Sequence, residues 1–154
     1  MELTGETRIP ASREQVWAAL NNPNVLRKCI PSCQSMEKKS PTEMEAVVKV
    51  KVGPISASFK ADVTLSNVNP PESYTITTEG QGGIAGFAKG VSDVHLREEN
   101  GETVVAYKVD VKIGGRIAML GSKFIESASH KLARQFFERL NKIVTKKAEA
   151  QAQA

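Results

Sequence analysis

The residue types best suited to metal or redox chemistry are scarce in this chain. Cys29 and Cys33 lie in the segment CIPSC, and the two histidines are His95 and His130. A zinc site usually needs four ligands at defined spacings, and neither histidine lies at a spacing that completes one. A disulfide between cysteines this close is uncommon in a cytosolic protein, so we predict small thiols, buried or half-buried in a turn. We therefore expect neither a metal nor a covalently bound cofactor.

The carboxylates also lack the arrangement that acid–base catalysis requires. Four of them stand at the outward phase of predicted strands: Glu45, Asp62, Asp93 and Asp110. His95 alternates with apolar neighbours and should face solvent, and His130 lies opposite the apolar stripe of a predicted helix. The sequence contains no glycine-rich phosphate loop and no serine–histidine–aspartate arrangement in a recognisable context. We predict that the protein is not an enzyme.

The composition indicates one globular domain with a mild positive charge. With 154 residues and a formal net charge of +4, the chain can enclose a core, or a core with a hollow in it. No apolar run approaches about 20 residues, and the N-terminus resembles no secretory signal. Basic residues are scattered among acidic ones with few aromatics between them, which argues against nucleic acid as a partner. We expect a cytoplasmic protein.

One long amphipathic stretch organises the rest of the chain. Over residues 114–147 the helical pitch places eight small or apolar side chains on one stripe: Ile117, Gly121, Phe124, Ile125, Ala128, Leu132, Phe136 and Ile143. Gly121 and Ala128 leave room where a fully packed helix would carry leucine, and Phe137 projects toward the polar side. The pattern predicts one long C-terminal helix on a sheet. The room beside its small residues is filled either by the close approach of the sheet or by a ligand.

The upstream sequence predicts the sheet that receives this helix. Residues 2–9 suit a first strand, and two short helices follow, the first of them opened by a capping box between Ser12 and Gln15. Apolar residues then alternate, most clearly over residues 55–65, with hairpin-length connections between the strands. The order β-αα-ββββββ-α predicts an α+β fold. In it a curved antiparallel sheet of about seven strands surrounds the long helix.

This order of elements resembles the helix-grip fold of the START and birch-allergen-like (SRPBCC) superfamily. Four segments narrow the resemblance to the CoxG-like family of carbon monoxide dehydrogenase subunits: NPNVLRKCIPSCQSME, VGPISASFKADVTL, GQGGIAGFAKG and GGRIAMLGSKFIESASHKLARQFFERL. They occur in the family's order and cover most of residues 1–144, although the family usually has glycine in place of Ser32. We expect one helix-grip domain over residues 1–147 and a disordered or fraying tail over residues 148–154.

The resemblance implies a non-catalytic protein that acts beside an aerobic carbon monoxide dehydrogenase or a related molybdenum hydroxylase. Members of the family are linked to membrane recruitment of the enzyme and to the binding of a quinone-like lipid. Some members continue into a membrane-anchoring tail, whereas this chain ends in KKAEAQAQA, so we expect no anchor. The first hypothesis is a carrier of a quinone-like or other lipid, cytoplasmic or peripheral at the inner face of the membrane. The alternative is an adaptor or maturation protein that recruits the dehydrogenase without a bound ligand.

Inward-facing residues of the sheet and the helix form the predicted lining of an apolar cavity: Phe59, Ala61, Ile76, Phe87, Tyr107, Val109, Ile117, Leu120, Gly121, Phe124, Ile125 and Ala128. The alternative is that these side chains simply pack against one another. The hydroxyl of Tyr107 needs a partner, which a quinone carbonyl, a backbone carbonyl or a water would supply. Two glycine-containing loops form the predicted mouth, which contacts the membrane transiently: Ile84, Gly86, Lys89, Arg116 and Met119. The alternative there is a pair of tight turns with solvated basic residues.

Overall fold

The structure, a computed structural model, describes residues 1–153. Within them, seven strands form one sheet: β1 (Glu2–Ile9), β2 (Cys33–Ser40), β3 (Glu43–Val52), β4 (Ile55–Asn69), β5 (Ser73–Gln81), β6 (Phe87–Glu99) and β7 (Glu102–Gly114). The α-helices of this part of the chain are α1 (Arg13–Leu20), α2 (Pro23–Cys29) and α3 (Ser122–Gln153). Two short 3-10 helices precede β6 and α3. We call them the first 3-10 turn (Gly83–Ala85) and the second 3-10 turn (Arg116–Leu120).

The strand order confirms the predicted fold class. The strands lie in the order β1-β7-β6-β5-β4-β3-β2, and every neighbouring pair is antiparallel. Strands β2 to β6 each pair with the next strand along the chain, whereas β1 pairs with β7. The two edges of the sheet are therefore β1 and β2, and α1 and α2 connect them. The long helix α3 packs against one face, which we call the inner face, and the arrangement is a helix-grip fold.

The start of α1 agrees with the sequence in detail. The Gln15 backbone N–H donates to Ser12 Oγ at 3.2 Å, and the Ser12 N–H donates to Gln15 Oε1 at 3.1 Å. This reciprocal pair satisfies two amide groups that a helix N-terminus otherwise leaves without partners. Pro23 is the first residue of α2, where its missing N–H costs nothing.

The long helix begins later than the sequence predicts. β7 extends to Gly114, the second 3-10 turn follows, and α3 begins only at Ser122. Gly115 and Gly121 have φ angles of 81° and 94°, in the left-handed region that an α-helix does not contain. The prediction of a helix is therefore wrong over residues 114–121. Gly121 lies just before α3 and not on its inward stripe.

The helix also continues beyond its predicted end, as far as Gln153. Ala148 packs against the buried core, and the Gln15 side chain donates to Gln151 Oε1 at 2.6 Å, so the added turns have contacts of their own. The alanine, glutamate and glutamine residues of this stretch also favour helix formation. Ala154, the last residue of the predicted tail, lies outside the described residues. Fraying of the final turns in solution stays a prediction.

The apolar core is divided into two clusters. The first cluster joins α1, α2 and the C-terminal half of α3 to the sheet, and its most deeply buried members are Ile9, Val16, Cys29, Val105, Leu140 and Val144. The second cluster is smaller and lies near the N-terminus of α3; its buried members are Phe59, Ala85, Ile117 and Ile125. Apolar packing therefore holds α3 to the sheet at two separate places along its length.

Candidate functional site

The two cysteines are free thiols in surroundings that suppress their reactivity. Cys29 is fully buried, and burial raises the pKa of its thiol to about 11. Cys33 is half-buried, its thiol donates to the Ser35 carbonyl oxygen at 3.2 Å, and burial raises its pKa as well. Because the thiolate is the reactive form, these environments do not favour nucleophilic or redox chemistry at neutral pH. The predicted burial of the thiols is confirmed, but Cys29 is the last residue of α2 and Cys33 the first of β2, so only the residues between them form the turn.

The histidines and the four carboxylates predicted to face outward are all exposed. His130 Nε2 lies 3.8 Å from Glu126 Oε1 on the surface of α3. Within residues 1–153, no three His, Cys, Asp or Glu side chains are grouped closely enough to hold a metal ion. The deeply buried phenol is Tyr74, whose ring packs edge-on against Trp17 with centroids 4.8 Å apart. Burial raises the pKa of Tyr74, so it stays neutral and acts as a core residue.

Between the two clusters, the facing sides of the sheet and of α3 carry mostly small side chains that are only half-buried. We call these residues the middle belt: Ala61, Thr78, Gly90, Ser92, Val109 and Val111 from the sheet, and Ser129 and Ala133 from α3. The sheet members lie on the inner face, since they alternate in step with buried residues such as Val94. The two helix members continue the stripe that runs from Ile125 to Leu140. Half-buried residues under a covering helix indicate a space that protein does not fill.

Gly90 is the clearest sign of this open space. A Cβ atom at Gly90 would meet nothing nearer than the Asp110 carbonyl oxygen at 3.8 Å, an ordinary van der Waals distance. Gly5 lies on the same face, but a Cβ atom there would overlap the Tyr107 ring, whose Cζ would be 2.6 Å away. The inner face is therefore closely packed at Gly5 and open at Gly90.

Thr78 and Ser92 bring two hydroxyl groups to the middle belt. Thr78 pairs with Gly90, and Ser92 pairs with Ile76, so the two hydroxyl-bearing residues are diagonal neighbours on β5 and β6. Diagonal neighbours on one face are about 7–8 Å apart, within reach of a single polar group placed between them. The open space therefore combines apolar walls with hydroxyl groups that can orient a ligand.

A groove of about 600 Å³ opens beside the second cluster. It is lined by the start of β4, by the two 3-10 turns and by Gly82: Pro54, Ile55, Ser56, Ala57, Gly82, Ile84, Ala85, Arg116, Met119 and Leu120. Its volume falls within the range of roughly 300–1,000 Å³ that is typical of small-molecule sites. A second depression, of about 460 Å³, is lined mostly by charged and polar side chains of β3, β4 and β5, and matches an apolar ligand poorly.

The predicted lining residues that face inward are divided among three places. Four of them pack in or against the second cluster: Phe59, Ile117, Leu120 and Ile125. Two pack against the first cluster: Ile76 and Tyr107. Ala61 and Val109 belong to the middle belt, and Ala128 is half-buried beside it on α3. Mutual packing therefore describes the residues in the clusters, whereas contact of the others with a ligand stays a prediction.

The placement of Phe87 on the inner face is wrong. Counting back in steps of two from buried Val94 puts Ala88 inward and Phe87 outward. The Phe87 ring covers Gly114 on the outer face, and the residue is 38% exposed. Sequence reasoning placed Phe87 on the wrong face because the alternation of β6 begins only at Phe87. The residue before it, Gly86, lies in a bend where φ is 115°.

Phe124 and Gly121 do not line the interior as predicted either. Phe124 is 44% exposed, and its ring lies beside the turn at Gly53, so it does not face the middle of the sheet. Gly121 precedes α3, and a Cβ atom there would meet nothing within 4 Å. Its positive φ, and not the close approach of a ligand or of the sheet, accounts for glycine at this position.

Tyr107 and Phe137 form a stacked pair with ring centroids 5.0 Å apart, and Phe136 packs edge-on against Phe137 at 5.1 Å. The prediction that Phe137 projects toward the polar side is therefore wrong. The inward stripe of α3 is wide enough in its C-terminal half to include it. The Tyr107 hydroxyl lies over Gly5 of the edge strand β1, away from the middle belt.

At the predicted mouth, Ile84 and Met119 are 80% and 85% exposed, and Arg116 is exposed beside them on the groove wall. Gly86 has a different role, because its backbone packs directly against Gly115 and joins the two 3-10 turns. Lys89 lies on the outer face of β6, with its Nζ 4.0 Å from Glu79 Oε1. Membrane contact by these residues stays a prediction.

Sequence reasoning missed the most informative members of the middle belt: Thr78, Gly90, Ser92, Ser129 and Ala133. A signal was present, because Gly90 and Ser92 occupy the same alternating phase as Val94 and Leu96. Small or polar residues at an inward phase indicate an unfilled part of a core. It also missed the groove wall at the start of β4, where the alternation of Ile55 and Ala57 was visible.

A long C-terminal helix packed on one face of a seven-stranded antiparallel sheet defines a START-like helix-grip protein. Among the described residues, no helix is both long enough and apolar enough to cross a bilayer. The chain belongs to the CoxG family of carbon monoxide dehydrogenase subunits, whose profile matches residues 5–145. No curated protein matches the sequence.

Solved structures share the fold. A conserved protein from Geobacillus kaustophilus superposes with a TM-score of 0.89 at 24% identity, over 95% of this chain and 96% of that one. A START superfamily protein from Mycobacterium smegmatis superposes with a TM-score of 0.71 at 12% identity, over 94% of this chain and 97% of that one. At these identities the likeness shows the fold alone.

Proposed function

We propose that this protein is a non-catalytic carrier that binds a quinone-like or other lipid between α3 and the inner face of the sheet. The observation that carries the proposal is the middle belt. It combines small, half-buried side chains under a helix of 32 residues, with packed clusters on either side. A core with only a structural role would fill that belt with large side chains, since protein interiors pack about as densely as organic crystals.

The chemistry of the belt suits a ligand with an apolar body and a carbonyl-bearing head. Each methylene moved from water into such a space contributes about 0.8 kcal/mol. Micromolar affinity requires about −8 kcal/mol, so a few isoprene units are sufficient even after the ordering costs of binding. In this proposal the hydroxyls of Thr78 and Ser92 donate to the carbonyl oxygens of the head.

The groove supplies a route to the belt. Ala85 and Leu120 belong both to the groove wall and to the second cluster, so a shift of that cluster would connect the two spaces. The Phe59 ring, packed against Gly82, is the largest side chain between the groove and the middle belt. We propose that a ligand enters at the groove and displaces this ring on its way to the belt.

The family supports a partner. The CoxG family takes its name from carbon monoxide dehydrogenase, and we propose that this chain serves an aerobic carbon monoxide dehydrogenase or a related molybdenum hydroxylase. The protein would work in the cytoplasm, at the inner face of the membrane, with no catalytic activity and no cofactor of its own. The lipid would be its cargo.

The test is organic extraction of the purified protein, followed by mass spectrometry of the extract and native mass spectrometry of the complex. We expect one lipid per chain in the wild type and its loss in Gly90→Val, whose side chain would occupy the belt. Ala106→Val is the matched control, because Ala106 lies on the outer face opposite Glu6 and His95. A wild-type protein that carries no lipid, takes up none from vesicles and still binds the dehydrogenase would instead support the adaptor.

A further inference from the structure

The end of the molecule that contains the groove also presents two large apolar side chains to solvent. Ile84 and Met119 are 80% and 85% exposed, and each stands on its own 3-10 turn. The turns are held together where the backbones of Gly86 and Gly115 touch. Two side chains this exposed, on turns in contact with each other, form an apolar projection. We call this surface the groove end.

The groove end is basic and free of acids. The segments that form it, residues 51–58, 81–90 and 111–125, contain no aspartate or glutamate, although the chain has 17 of them. The same segments carry five basic residues: Lys51, Lys89, Lys112, Arg116 and Lys123. Acidic residues flank these segments at Glu79, Asp110 and Glu126, and Glu79 lies 4.0 Å from Lys89. The chain as a whole has a formal net charge of +4, and these segments alone carry five positive charges, so the rest of the chain is close to neutral.

A bilayer with anionic lipids matches both properties. Apolar side chains that project from a basic surface can enter the boundary between head groups and acyl chains, while the lysines and arginine meet the anionic head groups. A second copy of this chain is a poor occupant, because a symmetric contact would bring like charges together. We propose that the groove end docks on an anionic bilayer with Ile84 and Met119 inserted. This deepens the proposed function, because the groove would then open toward the lipid that it takes up.

The test is sedimentation of the protein with phosphatidylcholine vesicles that either contain or lack phosphatidylglycerol. The wild type should bind the anionic vesicles, and added salt should weaken the binding. The double variant Ile84→Ser/Met119→Ser should lower the partition constant by about tenfold or more. The charge variant Arg116→Glu/Lys123→Glu should also lower the partition constant by about tenfold or more, because each basic group near an anionic surface raises that constant about fivefold.

Matched control variants distinguish docking through the groove end from non-specific binding to vesicles. Val68→Ser removes an apolar residue that is 43% exposed, but near the other end of β4. Lys131→Glu/Lys142→Glu makes the same charge change on the exposed side of α3. Both should bind anionic vesicles as the wild type does. Circular dichroism confirms that each variant is folded.

Several results would overturn the inference. The wild type could fail to bind anionic vesicles, the groove-end variants could bind as well as the wild type, or the control variants could lose as much binding as the groove-end variants do. Gel filtration adds another: a dimer that the Ile84→Ser/Met119→Ser change converts to monomer would show that a second copy covers this surface. The lipid content of the purified protein is measured without vesicles, so failure of docking and failure of the carrier proposal are distinguishable.

Discussion

Replacing two glycines on the same face of the sheet tests whether the middle belt is open. Gly90→Ala adds a methyl group whose nearest neighbour would be the Asp110 carbonyl oxygen at 3.8 Å. Glycine within a strand is less stable than alanine by roughly 0.5–1 kcal/mol, so this change should raise the free energy of unfolding by that amount. Gly5→Ala places its methyl group 2.6 Å from Tyr107 Cζ and should lower the free energy of unfolding by about 1–3 kcal/mol.

The assay is urea unfolding of the delipidated proteins, followed by circular dichroism. Both variants remove one glycine from a strand of the inner face, so they differ chiefly in the packing around the added methyl group. The expected difference between them is about 1.5–4 kcal/mol, the sum of the two separate effects. If Gly90→Ala destabilises the protein by as much as Gly5→Ala, the belt is filled by protein atoms, and our interpretation of its half-buried residues is refuted.

Other substitutions test the packed turns and the buried thiol. The added methyl group of Gly86→Ala would overlap the Gly114 carbonyl group, so this change should lower the free energy of unfolding by more than about 2 kcal/mol. Gly83→Ala, whose methyl group would have no neighbour within 4 Å, should lower it by only about 1 kcal/mol. Equal losses in thermal unfolding would mean that the two 3-10 turns are not packed together. Ser32→Gly should stabilise by about 1 kcal/mol, because Ser32 has a φ of 58°, and an unchanged unfolding midpoint would contradict this. Burial raises the pKa of Cys29 from 9.0 to about 11, so stability should fall as pH rises between those values. Cys29→Ala should remove that part of the decline in urea titrations at each pH, and a decline identical to the wild type's would disprove the assignment.

The elements of the fold could be predicted because each has a local cause. The capping box at Ser12 and Gln15, the alternation of β4 and the hairpin turns are properties of neighbouring residues. The start of α3 could not be placed, because residues 114–121 carry the helical spacing of apolar residues. Only the positive φ at Gly115 and Gly121 shows that the helix has not yet begun.

The candidate site was less accessible to sequence reasoning, because it depends on distances between strands. Phe59 and Tyr107 were both predicted to line one cavity, yet they pack in separate clusters at either side of the belt. The residues that keep the belt open are small, and small residues give a weak periodic signal. The stacking of Tyr107 on Phe137 likewise depends on the rotation of α3, which its sequence pattern fixes only to within one side chain.

The carrier proposal is tested most directly by nuclear Overhauser contacts in the complex with a short-chain quinone. Methyl groups of alanine can be labelled selectively, and Ala61 on β4 and Ala133 on α3 lie on opposite walls of the middle belt. We predict contacts from quinone protons to both methyl groups, and none to Ala106 on the outer face. Contacts confined to the groove residues Ala57 and Ala85, or the absence of any saturable contact, would contradict a ligand site between α3 and the sheet.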